Sequence, residues 1–278
     1  MTDTEPDSAR PHRRGLGLLV RLGVVVLVLL VAGGGVLLLK ATTAPHERPP
    51  SAEVPAEQVP AADVQPGAVA PAAARQAKPQ AKPQPAPGED PLRTWAQRLS
   101  GATDVPARAL MAYGNAELAM TEADPACHLS WATLAGIGRI ESDHGRYGGA
   151  TLRDDGRPSK PIVGVPLDGS AGVKAVSDTD GGRFDGDPRA DRAVGPMQFI
   201  PSTWARWASD ANLDRQGDPQ QIDDAALAAG RYLCANGRDL ARPADWWAAV
   251  FSYNNSVPYG QKVFGLADGY ARTAMAQS

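Results

Sequence analysis

The segment Trp131-Ala-Thr-Leu-Ala-Gly-Ile-Gly-Arg-Ile-Glu141-Ser142-Asp143-His144-Gly145 places Leu134, Ile137 and Glu141 at i, i+3 and i+7, on one face of a helix. Glu141 therefore prolongs an apolar stripe instead of joining a solvated side. It also falls in the last turn, where the helix dipole disfavours an anion. Both placements favour the protonated carboxyl. A carboxylic acid that keeps its proton near neutral pH can donate it to a leaving-group oxygen. The alternative reading is a surface glutamate on a face displaced by one position. A second segment, Arg192-Ala-Val-Gly195-Pro196-Met197-Gln198-Phe199-Ile200-Pro201-Ser202-Thr203-Trp204, marks a rigid turn entering a helix. In it the amide of Gln198 stands between apolar Met197 and Phe199. That setting suits the hydroxyl or acetamido groups of a sugar, against the alternative of a core turn with a solvated Gln. A third segment, Phe251-Ser252-Tyr253-Asn254-Asn255-Ser256, offers a phenol and amides at a helix end and means little alone.

The elements that must position these residues read as helices. Asp90-Pro91 and Asp104-Val105-Pro106 each look like a helix start. Ser130 caps a helix through Ser142 that Gly145 ends, and Ser202 starts a short helix containing Trp204 and Trp207. Asp223 precedes a helix from Ala225 to Asn236, with Gly237 at its end. Pro243 opens one through Phe251, and Ser256-Val257-Pro258 opens the last. Strand-like alternation is scarce. The stretch from Gly145 to Ala193 is rich in Gly and Asp, and loops of that length tend to be functional. The expectation is an all-α, or mostly α, domain over residues 90–278 with a large loop insertion that carries at most a small hairpin.

Taken together, Gly138-Arg139-Ile140-Glu141-Ser142, Gly195-Pro196-Met197-Gln198-Phe199-Ile200-Pro201-Ser202 and Ser252-Tyr253-Asn254 resemble, in order and spacing, the lytic murein transglycosylases. The nearest type is membrane-bound lytic transglycosylase B, within the lysozyme-like superfamily (SLT-type domain). The resemblance covers nearly all of residues 90–278. It implies that peptidoglycan glycan strands are the substrate and that Glu141 protonates the oxygen linking MurNAc to GlcNAc. The substrate's N-acetyl group would then stabilise the developing cation. Glu141, as a carboxylate, would next accept the proton of the MurNAc 6-hydroxyl as it closes on the anomeric carbon, leaving a 1,6-anhydro end. Most glycoside hydrolases need two carboxylates at a set separation; this route needs one. By motif match Gln198 and Tyr253 hold substrate, Asn254 supports them, and Met197 and Phe199 either line the site or pack beneath it. No cofactor is required.

The rest of the chain places that domain. Arg10, His12, Arg13 and Arg14 precede an apolar stretch at 15–40, long enough to span a bilayer. The basic flank at 1–14 would stay inside and the remainder be exported, in preference to a cleaved signal peptide. Residues 41–89, dominated by Pro, Ala, Gln and Lys, read as a disordered, extended spacer. Cys127 and Cys234, the only two cysteines, read as one disulfide in an exported domain, or as two buried thiols; their isolation argues against a metal site. A net charge of −3 and the lack of any basic cluster argue against nucleic acid, and a monomer is expected.

Asp210, Asn212, Asp214 and Asp218 match positions 1, 3, 5 and 9 of an EF-hand calcium loop. Arg215 and Gln221 stand where that loop needs Gly and Glu, so a solvated, capped loop is the alternative. Asp178-Thr-Asp180-Gly-Gly-Arg-Phe-Asp185-Gly-Asp187 is acidic without that spacing and reads as turns. One of Trp246 and Trp247 could stack on sugar, the other serving the core. Two other functions fit the same features. A hydrolytic muramidase would use Asp143 or Asp191 as second carboxylate. A non-catalytic wall-binding protein would leave Glu141's placement unexplained.

Overall fold

The computed structural model describes residues 55–75, 90–170 and 175–277. The basic tail and the span expected at 15–40 lie outside these residues, as do 41–54 and 76–89 of the expected spacer. Among the described residues no helix is long and apolar enough to cross a membrane.

The described domain is mostly helical. α1 is Ala72–Arg75, α2 Pro91–Thr103, α3 Ala107–Ala123, α4 Trp131–Ser142, α5 Pro201–Trp207, α6 Ile222–Leu233, α7 Pro243–Tyr253 and α8 Val257–Ala276. β1 (Val163–Pro166) and β2 (Arg192–Val194) form one antiparallel pair within the long insertion, with Val163 opposite Val194 and Pro166 opposite Arg192. Helix starts follow local chemistry. Asp90 accepts the Leu92 N–H at 3.0 Å ahead of Pro91. Ser130 accepts that of Ala132 at 3.2 Å, and Glu117 Oε2 takes the N–H of Trp131 at 2.6 Å, so two acceptors close the first turn of α4.

Several helix ends differ in detail from expectation: α6 ends at Leu233 rather than Asn236 and α7 at Tyr253 rather than Phe251. α4 runs through Ser142 as expected, but its left-handed closure comes at Asp143 and His144, ahead of Gly145. Asp143 and His144 adopt left-handed backbone (φ 52° and 58°), and their N–H groups return to Arg139 O and Gly138 O at 3.2 and 2.9 Å, a closure that usually takes Gly. α5 begins at Pro201, not Ser202. α6 is capped by Gln221, whose Oε1 accepts from Asp223 and Asp224 at 2.5 and 3.0 Å. Asp223 is not the cap because it is ion-paired with Arg108.

α4 lies at the centre, with Leu134 and Ile137 fully buried, packed on α8 and α3, while α3 packs on α6. Cys127, just before α4, is joined by a disulfide to Cys234 at the end of α6, with Cα atoms 5.4 Å apart. This staples the two ends of a long stretch of the core.

The expectation of a bare spacer over 41–89 fails for residues 55–75, which fold onto α7 and α8. Val59, Ala70 and Ala72–Ala74 are buried. Lys262 Nζ donates to Ala56 O at 2.6 Å, Gln261 Nε2 to Val64 O at 3.0 Å and Trp247 Nε1 to Val69 O at 2.9 Å. The Ala72 N–H reaches Asp268 Oδ1 at 2.6 Å. The physical reason is complementarity: a chain poor in internal hydrogen bonds leaves its carbonyls free, helix side chains supply donors, and alanines are small enough to lie against α8.

Candidate functional site

The three sequence segments meet at the C-terminal end of α4. Ser142 is fully buried; its hydroxyl donates to Pro196 O at 2.6 Å and accepts the Gly145 N–H at 2.7 Å. One side chain thus ties the residue next to Glu141 to the turn carrying Gln198. That turn is closed by paired bonds between Val194 and Phe199, at 2.9 and 3.0 Å. Gly195 has φ 77°, and a Cβ there would lie 1.7 Å from Pro219 O, so no other residue fits. The Tyr253 hydroxyl donates to Met197 O at 2.7 Å, which ties the third segment to the second. Gly138 of α4 is needed for the same contact economy: a Cβ would sit 2.1 Å from the Tyr113 hydroxyl.

Glu141 stands partly buried where these pieces converge. Burial pushes its carboxyl up to about 7, the Tyr259 hydrogen bond pulling back against that shift. The Tyr259 hydroxyl donates to Glu141 Oε1 at 2.5 Å. Tyr259 is held in the first turn of α8, where Ser256 Oγ accepts its N–H at 3.4 Å. Burial, with the charge of Glu141, pushes the phenols of both Tyr253 and Tyr259 well above their ordinary value, so both remain hydroxyls. The sequence reading did not single out Tyr259. Its signal was positional: a Tyr just past Ser256-Val257-Pro258, on the helix that leaves the Tyr253-Asn254 segment.

The other expected residues divide. Gln198 is partly exposed with φ 49°; its Nε2 donates to Gly195 O at 2.9 Å, and its Oε1 lies on the Gly164 side, 3.1 Å from where a Cβ would be. Asn254 is exposed at the end of α7. Met197 and Phe199 are buried, so they form the floor beneath Gln198 and Tyr253 and present no side chain to solvent. Trp246 and Trp247 are both buried, and neither offers a face to sugar. Neither carboxylate of the hydrolytic alternative stands free. Asp143 pairs with Arg146 at 2.9 Å and Arg139 at 3.3 Å. Asp191 is buried, accepting from the Thr179 N–H and hydroxyl at 2.8 and 2.7 Å.

The loop with EF-hand spacing spends its oxygens on itself. Asp210 accepts from the N–H groups of Asp214 and Arg215 at 3.1 and 2.8 Å, and Asp214 from that of Gln216 at 2.8 Å. Asp218 is paired with Arg157, so one of the four expected ligands already carries a cation. Buried Asp224 gathers the N–H groups of Ala211, Asn212 and Asp218. As arranged, Asp210, Asn212, Asp214 and Asp218 do not fit a calcium cage. Among the described residues the carboxylates that do converge, within 4.8 Å, are those of Asp178, Asp180 and Asp191.

No protein-family model, no curated protein and no solved structure matches this chain.

Proposed function

We propose that this chain is a peptidoglycan lytic transglycosylase with a lysozyme-like catalytic domain. On this reading it cuts the β-1,4 bond between MurNAc and GlcNAc and leaves a 1,6-anhydro end. The observation that carries the reading is a single carboxyl, Glu141, shifted up to about 7 by burial and gripped by a tyrosine hydroxyl at the meeting point of three sequence-distant segments. A carboxyl with that value is substantially protonated near neutral pH, which a general acid needs. It gives its proton to the glycosidic oxygen as the bond to the anomeric carbon breaks. The N-acetyl group of the same MurNAc supports the cation. The 6-hydroxyl then forms the new bond to that carbon while its proton passes to the Glu141 carboxylate, which restores the acid. The engagement of Asp143 with two arginines and of Asp191 with Thr179 favours this one-carboxyl route over a water-activating pair. The Tyr259 hydroxyl suits both halves of the cycle, because it holds the carboxyl in place and stabilises its charged form. Gln198 and Tyr253 would orient the substrate and Asn254 would assist. The apolar stretch at 15–40 would anchor the chain so that this domain works on the wall side of the membrane.

The test uses the full chain, because residues 55–75 belong to the folded domain. Purified peptidoglycan is digested with the wild-type protein and with Glu141→Gln, and the products are read by mass spectrometry. The expected result is anhydro-muropeptides from the wild type and a loss of roughly a hundredfold to ten-thousandfold in the variant. Reducing-end products would replace this reading with a muramidase. Strand binding without cleavage would replace it with a wall-binding protein.

A further inference from the structure

A groove of about 480 Å³ lies between the C-terminal ends of α3, α5 and α6. Its lining includes the apolar Met120, Leu227 and Cys234, the ring-bearing Trp207, and the polar Asp124, Arg231 and Asn236. A continuous line of rings connects this groove to the candidate active site. Phe199 meets Tyr253 at 6.1 Å, Tyr253 meets Tyr232 at 5.6 Å, and Tyr232 meets Trp207 at 5.8 Å, each edge to face. Its second ring, Tyr253, is the phenol that holds the Met197 carbonyl, and its last, Trp207, lines the groove. Tyr253, Tyr232 and Trp207 are each partly exposed.

The polar groups at the far end are fixed in advance. Arg231 Nη1 donates to Trp207 O, Ala208 O and Ser209 Oγ at 3.2, 3.0 and 3.0 Å, so the guanidinium is fixed against the C-terminal end of α5, while that of Arg206 lies over the Trp207 ring, 5.3 Å from its centroid. Tyr232 OH is tied to Ser252 O at 2.5 Å, and the disulfide to Cys127 anchors Cys234. Asn236 is exposed, with its backbone in the left-handed region (φ 65°). An indole beside apolar side chains, with a planar guanidinium and an amide lining the same groove, is the chemistry that recognises a sugar ring. C–H faces pack on the aromatic ring, and hydroxyl or acetamido groups meet the planar donors and acceptors. Locked side chains lower the entropy cost of binding.

We propose that the groove at Trp207 is a second, non-catalytic saccharide site that takes sugar units of the strand at a distance from the bond cut at Glu141. This rests on the glycan-cleaving reading above. A strand seated along Tyr253, Tyr232 and Trp207 would hold the protein on long polymers while leaving the cleavage chemistry of short ones unchanged.

The test compares full-length Trp207→Ala and Asn236→Gly with the parent protein. Binding to long soluble glycan strands is measured in a Glu141→Gln background, so that the strands survive. Turnover of a short glycan fragment is measured with Glu141 intact. Trp207→Ala is expected to weaken long-strand binding about tenfold, with short-fragment turnover within about twofold of the parent. Asn236→Gly keeps the left-handed backbone that Gly adopts freely, so it tests the groove even if Trp207→Ala fails to fold; about threefold weaker binding is expected. Unchanged long-strand affinity in a folded variant, or equal losses on long and short substrates, would overturn the proposal. If the parent protein neither binds nor cleaves strands, the enzymatic reading itself falls, and this site with it.

Discussion

Tyr259→Phe tests the central electrostatic claim without disturbing the ring packing. The hydroxyl donates to Glu141 Oε1 at 2.5 Å, and its effect is to lower a carboxyl that burial has pushed up to about 7. A hydrogen bond to a charged group contributes about 1.5–3 kcal/mol, and one pKa unit corresponds to about 1.4 kcal/mol. Because Glu141 is only partly buried, the lower end applies. Removing the hydroxyl should therefore raise the carboxyl by about one unit, from about 7 to about 8. A catalytic acid works in its protonated form, so the alkaline limb of the kcat/KM–pH profile, which reports the free protein, should move upward by that amount. The stability change has the same sign. A carboxyl whose folded value exceeds its unfolded value contributes stability that is full below about 4.5 and is lost as pH rises through about 7. In the variant that loss should extend to about 8. The assay is release of anhydro-muropeptides between pH 5 and 9 for both proteins, with thermal melts at the same pH values. A limb that stays in place or moves to lower pH would refute the assignment of Tyr259 as the group that tunes Glu141.

Other outcomes follow from the same contacts. Ser142→Ala orphans the buried Pro196 carbonyl and Gly145 N–H, at about 2–4 kcal/mol. It should lower the melting temperature by about 5–10 °C and cut kcat/KM roughly tenfold or more by loosening the turn against Glu141. Reducing the Cys127–Cys234 bond, which spans 107 residues, removes up to roughly 4–5 kcal/mol of chain-entropy stabilisation; a melt with and without reductant should differ by on the order of 10 °C. Deleting residues 1–75 leaves Trp247 Nε1 without Val69 O and uncovers α8, so the truncated protein should melt at least about 5 °C lower than the full chain.

The parts of the fold that could be read in the sequence are those set by local rules. Asp90-Pro91, Ser130 and Ser256 each start a helix, because each side chain satisfies an N–H within its own turn. Local reading failed where a side chain had a distant partner. Asp223 is a good cap by type, yet Arg108, 115 positions away in sequence, claims its carboxylate, and Gln221 takes over the cap. Residues 55–75 look like a spacer by composition, because nothing in the segment shows that α7 and α8 hold matching donors. The turn at 195–198 was recognisable from Gly195-Pro196, but its bond to Ser142 was not. Tyr259 was missed for the same reason: its importance lies wholly in a contact 118 positions away.

A shifted carboxyl alone would not have chosen the site. Glu117 is pushed up to about 7 by the same cause, burial, with a backbone hydrogen bond from Trp131 opposing it. A perturbed pKa is therefore a filter that at least two groups pass, and geometry must separate them. Glu117 spends Oε2 on the Trp131 N–H at 2.6 Å, closing the N-terminal turn of α4, so its proton balance is bound up with capping that helix. Glu141 lies ten residues further along, about 15 Å away at 1.5 Å per residue. Its partner is a side-chain hydroxyl, and its charge also acts on the phenol of Tyr253, which holds the Met197 carbonyl. The two ends of α4 thus meet two different carboxyls: Glu117 of α3 closes its start and serves the fold, whereas Glu141, in its own last turn beside the Ser142 that holds the Gly195–Gln198 turn, is left to serve a reaction.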